Sequence, residues 1–354
     1  MQKKIILTGY GTVAKELIKL INLNGALIKE KYGFDLLVIG IVGSKGMIYD
    51  EKGIELSRLI EFGTGSEALL SYSESCKLPI TEPIFNGDVL IECTPTNIET
   101  GEPALGYIQK AITNGMDIVF VSKGALVKSF DKIKTQAARR NSRLKYSGAT
   151  AAALPTLDIG EYSLAGCTIT RIEGILNGTS NFILASMSEN NLSFEEGLKI
   201  AQEKGIAESN PALDVQGFDA ACKILLLANG FFGSSLSIDD VKINGIELVT
   251  KEDITVAKQN GRTLKLLASA YKEAENVIVE VKPCELESKH PLAHVNGTNK
   301  GVVFETIEMG VVCATGGASH PRGAAAAALK DVINLYRETI SGQSIDFSSK
   351  QHGM

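Results

Sequence analysis

At 354 residues the chain is too long for one small core, so two domains are expected. Apolar residues make up 44% and charged residues 22%, the balance of a soluble globular protein, and a net charge of −5 without a long basic cluster argues against a nucleic-acid partner. No apolar run is long enough to span a membrane and no signal-peptide stretch precedes the first strand. The six cysteines, Cys76, Cys93, Cys167, Cys222, Cys284 and Cys313, are scattered without a Cys-x-x-Cys, which fits a reduced, cytoplasmic protein. His290 and His294 are four apart, but Pro291 argues against a helix there, so no zinc pair is read.

In chain order, an apolar strand, Ile5-Ile6-Leu7, runs into Gly9-Tyr10-Gly11-Thr12-Val13-Ala14 and then a helix from Lys15 to Ile21. The first glycine allows a tight turn, the second lets backbone approach a pyrophosphate, and Ala14 packs helix on strand. Gly9, Gly11, Thr12 and Val13 are therefore expected to hold a dinucleotide. A second strand, Leu36 to Val42, ends in Gly43-Ser44-Lys45-Gly46 with no acid until Asp50. A carboxylate there would take the ribose 2′-hydroxyl of NAD. Ser44 and Lys45 instead suit the 2′-phosphate of NADP, with NAD still possible.

Residues 53–75 read as helix and then as a glycine-broken connection. Asp88 to Cys93 is the next strand, a helix lies between Gly101 and Gly115, and Asp117 to Val121 is a strand ending in Ser122-Lys123. In a doubly wound parallel sheet the carboxyl ends of the strands line the ligand crevice, so Thr94, Pro95, Ser122 and Lys123 should border the nicotinamide. The fold class is α/β, with a Rossmann-type nucleotide domain over 1–155. Residues 156–315 group a strand (168–176), helices (180–190, 194–204 and 217–228) and further strands from Thr263, Val277 and Val302. This is an α+β domain with an open sheet, whose exposed edge or face favours a homodimer. Gly316-Gly317-Ala318 then opens a terminal helix, Gly323 to Arg337, expected to pack back on the first domain, with a short polar tail from Ser341 completing 316–354. Gly316 is counted among the cofactor contacts.

Charge sits sparsely on the 217–228 helix, and Asn229-Gly230 is its expected stop. Asp219 and Lys223, four apart, share one face of an otherwise apolar segment. They are either a solvated surface pair or a proton-handling pair in a cleft. Glu208 and Asp214 flank an Asn210-Pro211 turn and add carboxylates suited to an ammonium-bearing ligand. Asn177-Gly178-Thr179-Ser180 follows a strand and enters an apolar helix, so Gly178 and Thr179 offer either N–H donors to a ligand or a plain helix cap.

These residues, from Gly178-Thr179-Ser180-Asn181-Phe182-Ile183-Leu184 through Ala201 to Glu208, Asn210-Pro211, Asp214, Gly217, Asp219 and Lys223, resemble the homoserine dehydrogenase family. The resemblance implies reversible hydride transfer between L-homoserine and L-aspartate 4-semialdehyde with NAD(P), on a short form without a regulatory domain. It implies Lys223 as proton carrier, Asp219 as its orienting partner, Lys123 as a catalytic cation that helps bind substrate and move the proton, and Glu208 with Asp214 for the substrate ammonium. Ser122 replaces the usual asparagine before that lysine. Many relatives hold a metal ion on a loop with one glutamate, and that position falls on Ser147 here, so no tightly held metal is expected. Arg322-Gly323-Ala324 departs from the usual threonine-alanine. Another amino-acid dehydrogenase on this plan, or a non-enzymatic NADP-binding sensor, are the competing readings.

Overall fold

The computed structural model describes residues 1–317 and 320–337. Its first sheet grows from apolar runs that are buried on both faces, the pattern of strands covered by helices on either side. The strands are β1 (Gln2–Thr8), β2 (Asp35–Gly43), β3 (Gly46–Tyr49), β4 (Ile80–Thr81), β5 (Val89–Glu92), β6 (Asp117–Phe120) and β7 (Leu144–Lys145), in the order β4-β3-β2-β1-β5-β6-β7. The five strands from β2 to β7 in that order are parallel. The sheet departs from an all-parallel plan at its edge, where β3 runs antiparallel to β2 and β4 antiparallel to β3. The cause is local: Ser44 and Lys45 form a two-residue hairpin between paired Gly43 and Gly46, and Gly46 has a φ of 120°.

Helices α1 (Thr12–Tyr32), α2 (Leu56–Glu61), α3 (Gly65–Cys76), α4 (Ala104–Thr113) and α5 (Gly124–Arg140) cover this sheet. The expected break in 53–75 falls between α2 and α3. The chain then passes through a short turn, α6 (Thr156–Asp158), into the second sheet.

That sheet holds β8 (Ile169–Ile175), β9 (Lys242–Ile243), β10 (Arg262–Glu273), β11 (Asn276–Glu287), β12 (Lys300–Thr306) and β13 (Gly310–Gly316), in the order β13-β12-β8-β10-β11-β9. All neighbours are antiparallel except β9 and β11. Around it lie α7 (Gly178–Asn190), α8 (Phe194–Glu203), α9 (Ala212–Val215), α10 (Phe218–Phe231) and α11 (Lys251–Gln259). One apolar core joins α7 and α10 to this sheet through residues such as Ile183, Ala221, Leu225, Ala268 and Val281.

Two element ends differ from expectation. α10 continues through Asn229-Gly230 to Phe231, because Asn229 is buried and braces the next turn instead of stopping the helix. Its amide donates to Leu236 O at 2.9 Å and its oxygen accepts from Ser234 Oγ at 2.8 Å. The left-handed residue comes later, at Gly233. The terminal helix α12 (Pro321–Arg337) begins two residues earlier than Gly323, with proline at its first position. α12 does return to the first sheet: Ala325, Leu329, Val332 and Tyr336 share a core with Ile5, Leu17 and Ile21. Arg322 lies 3.7 Å from Glu16 on α1. Ala318 and the tail from Ser341 fall outside the described residues.

Candidate active site

β1 delivers the chain to Gly9 with a φ of 82°, and a Cβ at that position would lie 2.5 Å from the Cys93 carbonyl oxygen. Only glycine lets this turn lie against the end of β5. Gly11 is the N-cap of α1 and has no capping side chain; a Cβ there would meet nothing within 4 Å. The amides of the first turn therefore open onto empty space at the positive end of a 21-residue helix, a setting for an anionic pyrophosphate. Gly9, Gly11, Thr12, Val13, Ser44, Thr94, Pro95 and Ser122 all line one crevice of about 650 Å³. The residues present thus fit a dinucleotide.

A buried carboxylate organises the crevice floor, and the sequence reading passed over it as part of an apolar strand. Glu92 ends β5, accepts hydrogen bonds from Thr94 N at 2.8 Å, from the Thr94 hydroxyl, and from Ser122 Oγ at 2.6 Å. Burial pushes its carboxyl above the ordinary range, against those donors. It fixes the ends of two neighbouring strands where the nicotinamide is expected.

Lys45 and Gly316 lie elsewhere. Lys45, half exposed, pairs with Glu67 on α3 and borders an adjoining groove rather than the crevice. Ser44 Oγ is 2.8 Å from Ser66 Oγ on the same helix. No acid follows β2 closely in sequence, but the fold brings one from 22 residues away. Gly316, the last residue of β13, does not line the crevice.

Beside the crevice lies a second cavity, of about 200 Å³, whose walls include Lys123, Glu208, Asp214 and Asp219. Thr96 lines both cavities, and Ser122 in the first is followed directly by Lys123 in the second. Asp219 is the hub. Its Oδ2 lies 2.5 Å from Lys223 Nζ, one turn along α10, and its Oδ1 lies 2.9 Å from Lys123 Nζ, at the end of β6. Lys223 also donates to Leu176 O at 2.8 Å. Neither lysine is a surface residue: their side chains are 14% and 22% exposed.

Burial alone would raise the Asp219 carboxyl, but the two ammonium groups outweigh it and hold the group ionised far below the usual carboxylate range. Burial likewise acts to lower Lys123, and Asp219 overrides it, so this lysine stays charged at neutral pH. Asp214 is raised by burial and by the neighbouring Asp219 charge.

Asn177 ties these groups together. Its Oδ1 accepts from Ser180 N at 2.8 Å, and its Nδ2 donates to Asp214 Oδ1 at 2.6 Å and to Asp219 Oδ2 at 2.8 Å. The sequence shows Asn177 as a helix cap, which it is; its second task needs the tertiary fold. Gly178 is buried, and neither it nor Thr179 lines the cavity, so the start of α7 serves the site through the side chains of Asn177 and Thr179, both of which bond Asp214. Thr179 Oγ1 donates to Ile206 O at 3.2 Å. Glu208 stands exposed at the cavity rim.

The Ser147 loop does not fit a metal ion. Ser147 Oγ donates to Asp331 Oδ1 at 2.8 Å and receives Lys330 Nζ at 2.9 Å, while Lys300 Nζ donates to Ala151 O at 3.2 Å. Two ammonium groups thus contact the loop. Among the described residues no cluster of three His, Cys, Asp or Glu could hold a metal.

A nucleotide crevice opening beside a lysine–carboxylate cavity fits the class that comparison with known proteins gives, an NAD(P)-dependent oxidoreductase acting on a CH–OH group. A family model for homoserine dehydrogenase matches residues 155–333. The homoserine dehydrogenase of Methanocaldococcus jannaschii is 32% identical over 95% of this chain and 99% of its own length. The NAD(+)-dependent homoserine dehydrogenase of Pseudomonas canavaninivorans is 30% identical over 96% of this chain and 98% of its own. A crystal structure of a candidate homoserine dehydrogenase from Archaeoglobus fulgidus has a TM-score of 0.82 at 29% identity, covering 94% of this chain and 99% of that one. The chain belongs to the homoserine dehydrogenase family.

Proposed function

We propose that the chain interconverts L-homoserine and L-aspartate 4-semialdehyde with Lys223 as proton carrier and NADP as the preferred nucleotide. The observation that carries the reading is the junction of the two cavities at Thr96 and Ser122-Lys123, beside the Lys123–Asp219–Lys223 chain. When bound, the nucleotide supplies or accepts the hydride.

An ammonium has three N–H groups. In Lys223 two go to Asp219 and Leu176, which leaves one to give its proton to the oxygen of the reduced aldehyde, or to take it from the alcohol. Asp219 fixes the lysine in place and balances its charge. Asp214, aimed by Asn177, and Glu208 at the rim present carboxylates to the substrate ammonium, and Lys123 presents a cation on the same wall. A cavity of about 200 Å³ suits a four-carbon amino acid.

NADP preference rests on the hairpin residues Ser44 and Lys45. Glu67 holds Lys45 in the protein alone, so the 2′-phosphate must draw the lysine away from that partner. A single assay tests both halves: oxidation of NADPH, and of NADH, on addition of aspartate semialdehyde. Turnover with ammonia and a 2-oxo acid instead would mark a different amino-acid dehydrogenase, and nucleotide binding without turnover a sensor.

In this reading residues 1–155 bind nucleotide, 156–315 bind substrate and pair two copies into a homodimer, and α12 locks the two regions together. The structure has no helix long and apolar enough to cross a membrane among the described residues. The cytoplasm is the proposed setting.

A further inference from the structure

Lys300 is the first residue of β12, and its side chain is buried with the residue only 4% exposed. The sequence disguises it: a lysine between the Asn296-Gly297 turn and the apolar Val302-Val303-Phe304 reads as a surface residue at a strand entrance. A buried ammonium is costly without acceptors or counter-charge. The acceptor Lys300 finds is the carbonyl of Ala151, 3.2 Å away, in the turn that links the two sheets. That turn is tightly wound: Ser147 O accepts from Ala152 N at 2.9 Å, and Ala151 O also accepts from Leu154 N at 3.2 Å. Burial, and after it the Lys223 charge, pull the Lys300 pKa down to about 8 against the opposing charge of Asp219. The strands bring the two sites together: Gly301, next to Lys300, pairs with Ile175 on β8, and the following residue, Leu176, accepts from Lys223 Nζ at 2.8 Å.

The same turn is held from its other end. Lys330 on α12 bonds Ser147 Oγ at 2.9 Å and pairs with Asp331 at 3.1 Å and with Asp158. Asp331 in turn takes both the Ser147 amide and hydroxyl, at 2.9 and 2.8 Å. A metal ion on this turn would face two ammonium groups and find its serine already committed.

We propose that Lys300 is the resident cation of the 147–153 turn, holding the Ala151 carbonyl in place of a metal ion and positioning the turn against the Lys223–Asp219 pair. This rests on the dehydrogenase reading for its effect on turnover, but not for its effect on cation binding.

The two effects are tested separately. The unfolding midpoint of the wild-type protein is measured in NaCl, KCl and MgCl₂ against tetramethylammonium chloride at equal ionic strength. No saturable stabilisation by any metal is expected, and a saturable rise overturns the proposal without involving substrate. The variant Lys300→Met keeps the length of the side chain and removes its charge. At a temperature where it is folded, its kcat with aspartate semialdehyde is expected to fall about tenfold with the KM for NADPH unchanged. A lower midpoint with wild-type kcat would make Lys300 a packing residue and overturn its positioning role. Should the variant not fold, the wild-type cation series still decides whether the turn takes a metal. Absence of semialdehyde turnover in the wild type would count against the dehydrogenase reading and leave the cation series standing.

Discussion

Lys123 and Lys223 share one carboxylate: the first lies 2.9 Å from Asp219 Oδ1 and the second 2.5 Å from Oδ2. One lysine comes from the end of a parallel strand in the nucleotide-binding sheet and the other from a helix packed on the second sheet. Asp219 therefore joins the two halves of the molecule, at the point where the proposed reaction would bring hydride and proton together. The arrangement also explains why a charged pair is tolerated on α10, whose other buried positions are apolar apart from Asn229 near its end.

Replacing Lys223 with alanine removes the proposed proton carrier and leaves the nucleotide crevice untouched. Turnover is expected to fall by about 10²- to 10⁴-fold, with NADPH affinity nearly unchanged in a fluorescence titration. Wild-type turnover in Lys223→Ala would remove this lysine from the reaction.

Asp219→Asn is a stability variant as well as a catalytic one, because it leaves two largely buried ammonium groups without their counter-charge. A loss of about 3–5 kcal/mol in urea unfolding is expected. The pH dependence has a definite sign. The folded carboxyl titrates below its unfolded value, so its contribution is present above about pH 4 and fades as pH falls through the folded value. The gap between wild type and variant should be widest near neutral pH and narrow in acid. A gap that widened on acidification would contradict the ion-pair account.

Lys45 and Glu67 set up a competition that can be read in kinetics. Lys45→Glu should lower kcat/KM for NADPH by about 10- to 100-fold relative to NADH, the loss of a charge-assisted contact to phosphate. Glu67→Gln should act in the opposite direction, since the lysine is then released from its partner. Equal changes with both nucleotides in either variant would place the 2′-phosphate elsewhere.

Gly9→Ala combines two faults, a methyl group 2.5 Å from the Cys93 carbonyl and a left-handed backbone with φ of 82°. A destabilisation above about 2 kcal/mol is expected, together with weakened NADPH binding measured by calorimetry. Gly11→Ala, which meets no protein atom within 4 Å, should instead keep its fold and lose nucleotide affinity. The contrast between the two separates packing of the turn from approach of the pyrophosphate.

Local pattern carried much of this protein. Both glycines of the nucleotide turn, the buried strands and the i, i+4 spacing of Asp219 and Lys223 depend on contacts within a few residues, and such contacts are written in the order of the chain. The ends of elements were less legible. Asn229-Gly230 has the composition of a helix stop, but a buried asparagine bonded to Leu236 carries α10 onward. The hairpin at Ser44-Lys45 was visible only as a glycine-flanked pair, and its antiparallel strand bends the sheet away from the expected plan.

The sequence by itself determined which residue types the site contains: two lysines, an aspartate beside one of them, and acids near an Asn-Pro turn. Only the tertiary structure decided who touches whom. Lys123 and Asp219 are far apart in the chain, Glu67 reaches Lys45 across 22 positions, and Lys300 meets Ala151 across 149. Such pairings form because packing two sheets and their helices fixes distances that no local propensity encodes. Burial then converts them into shifted proton affinities.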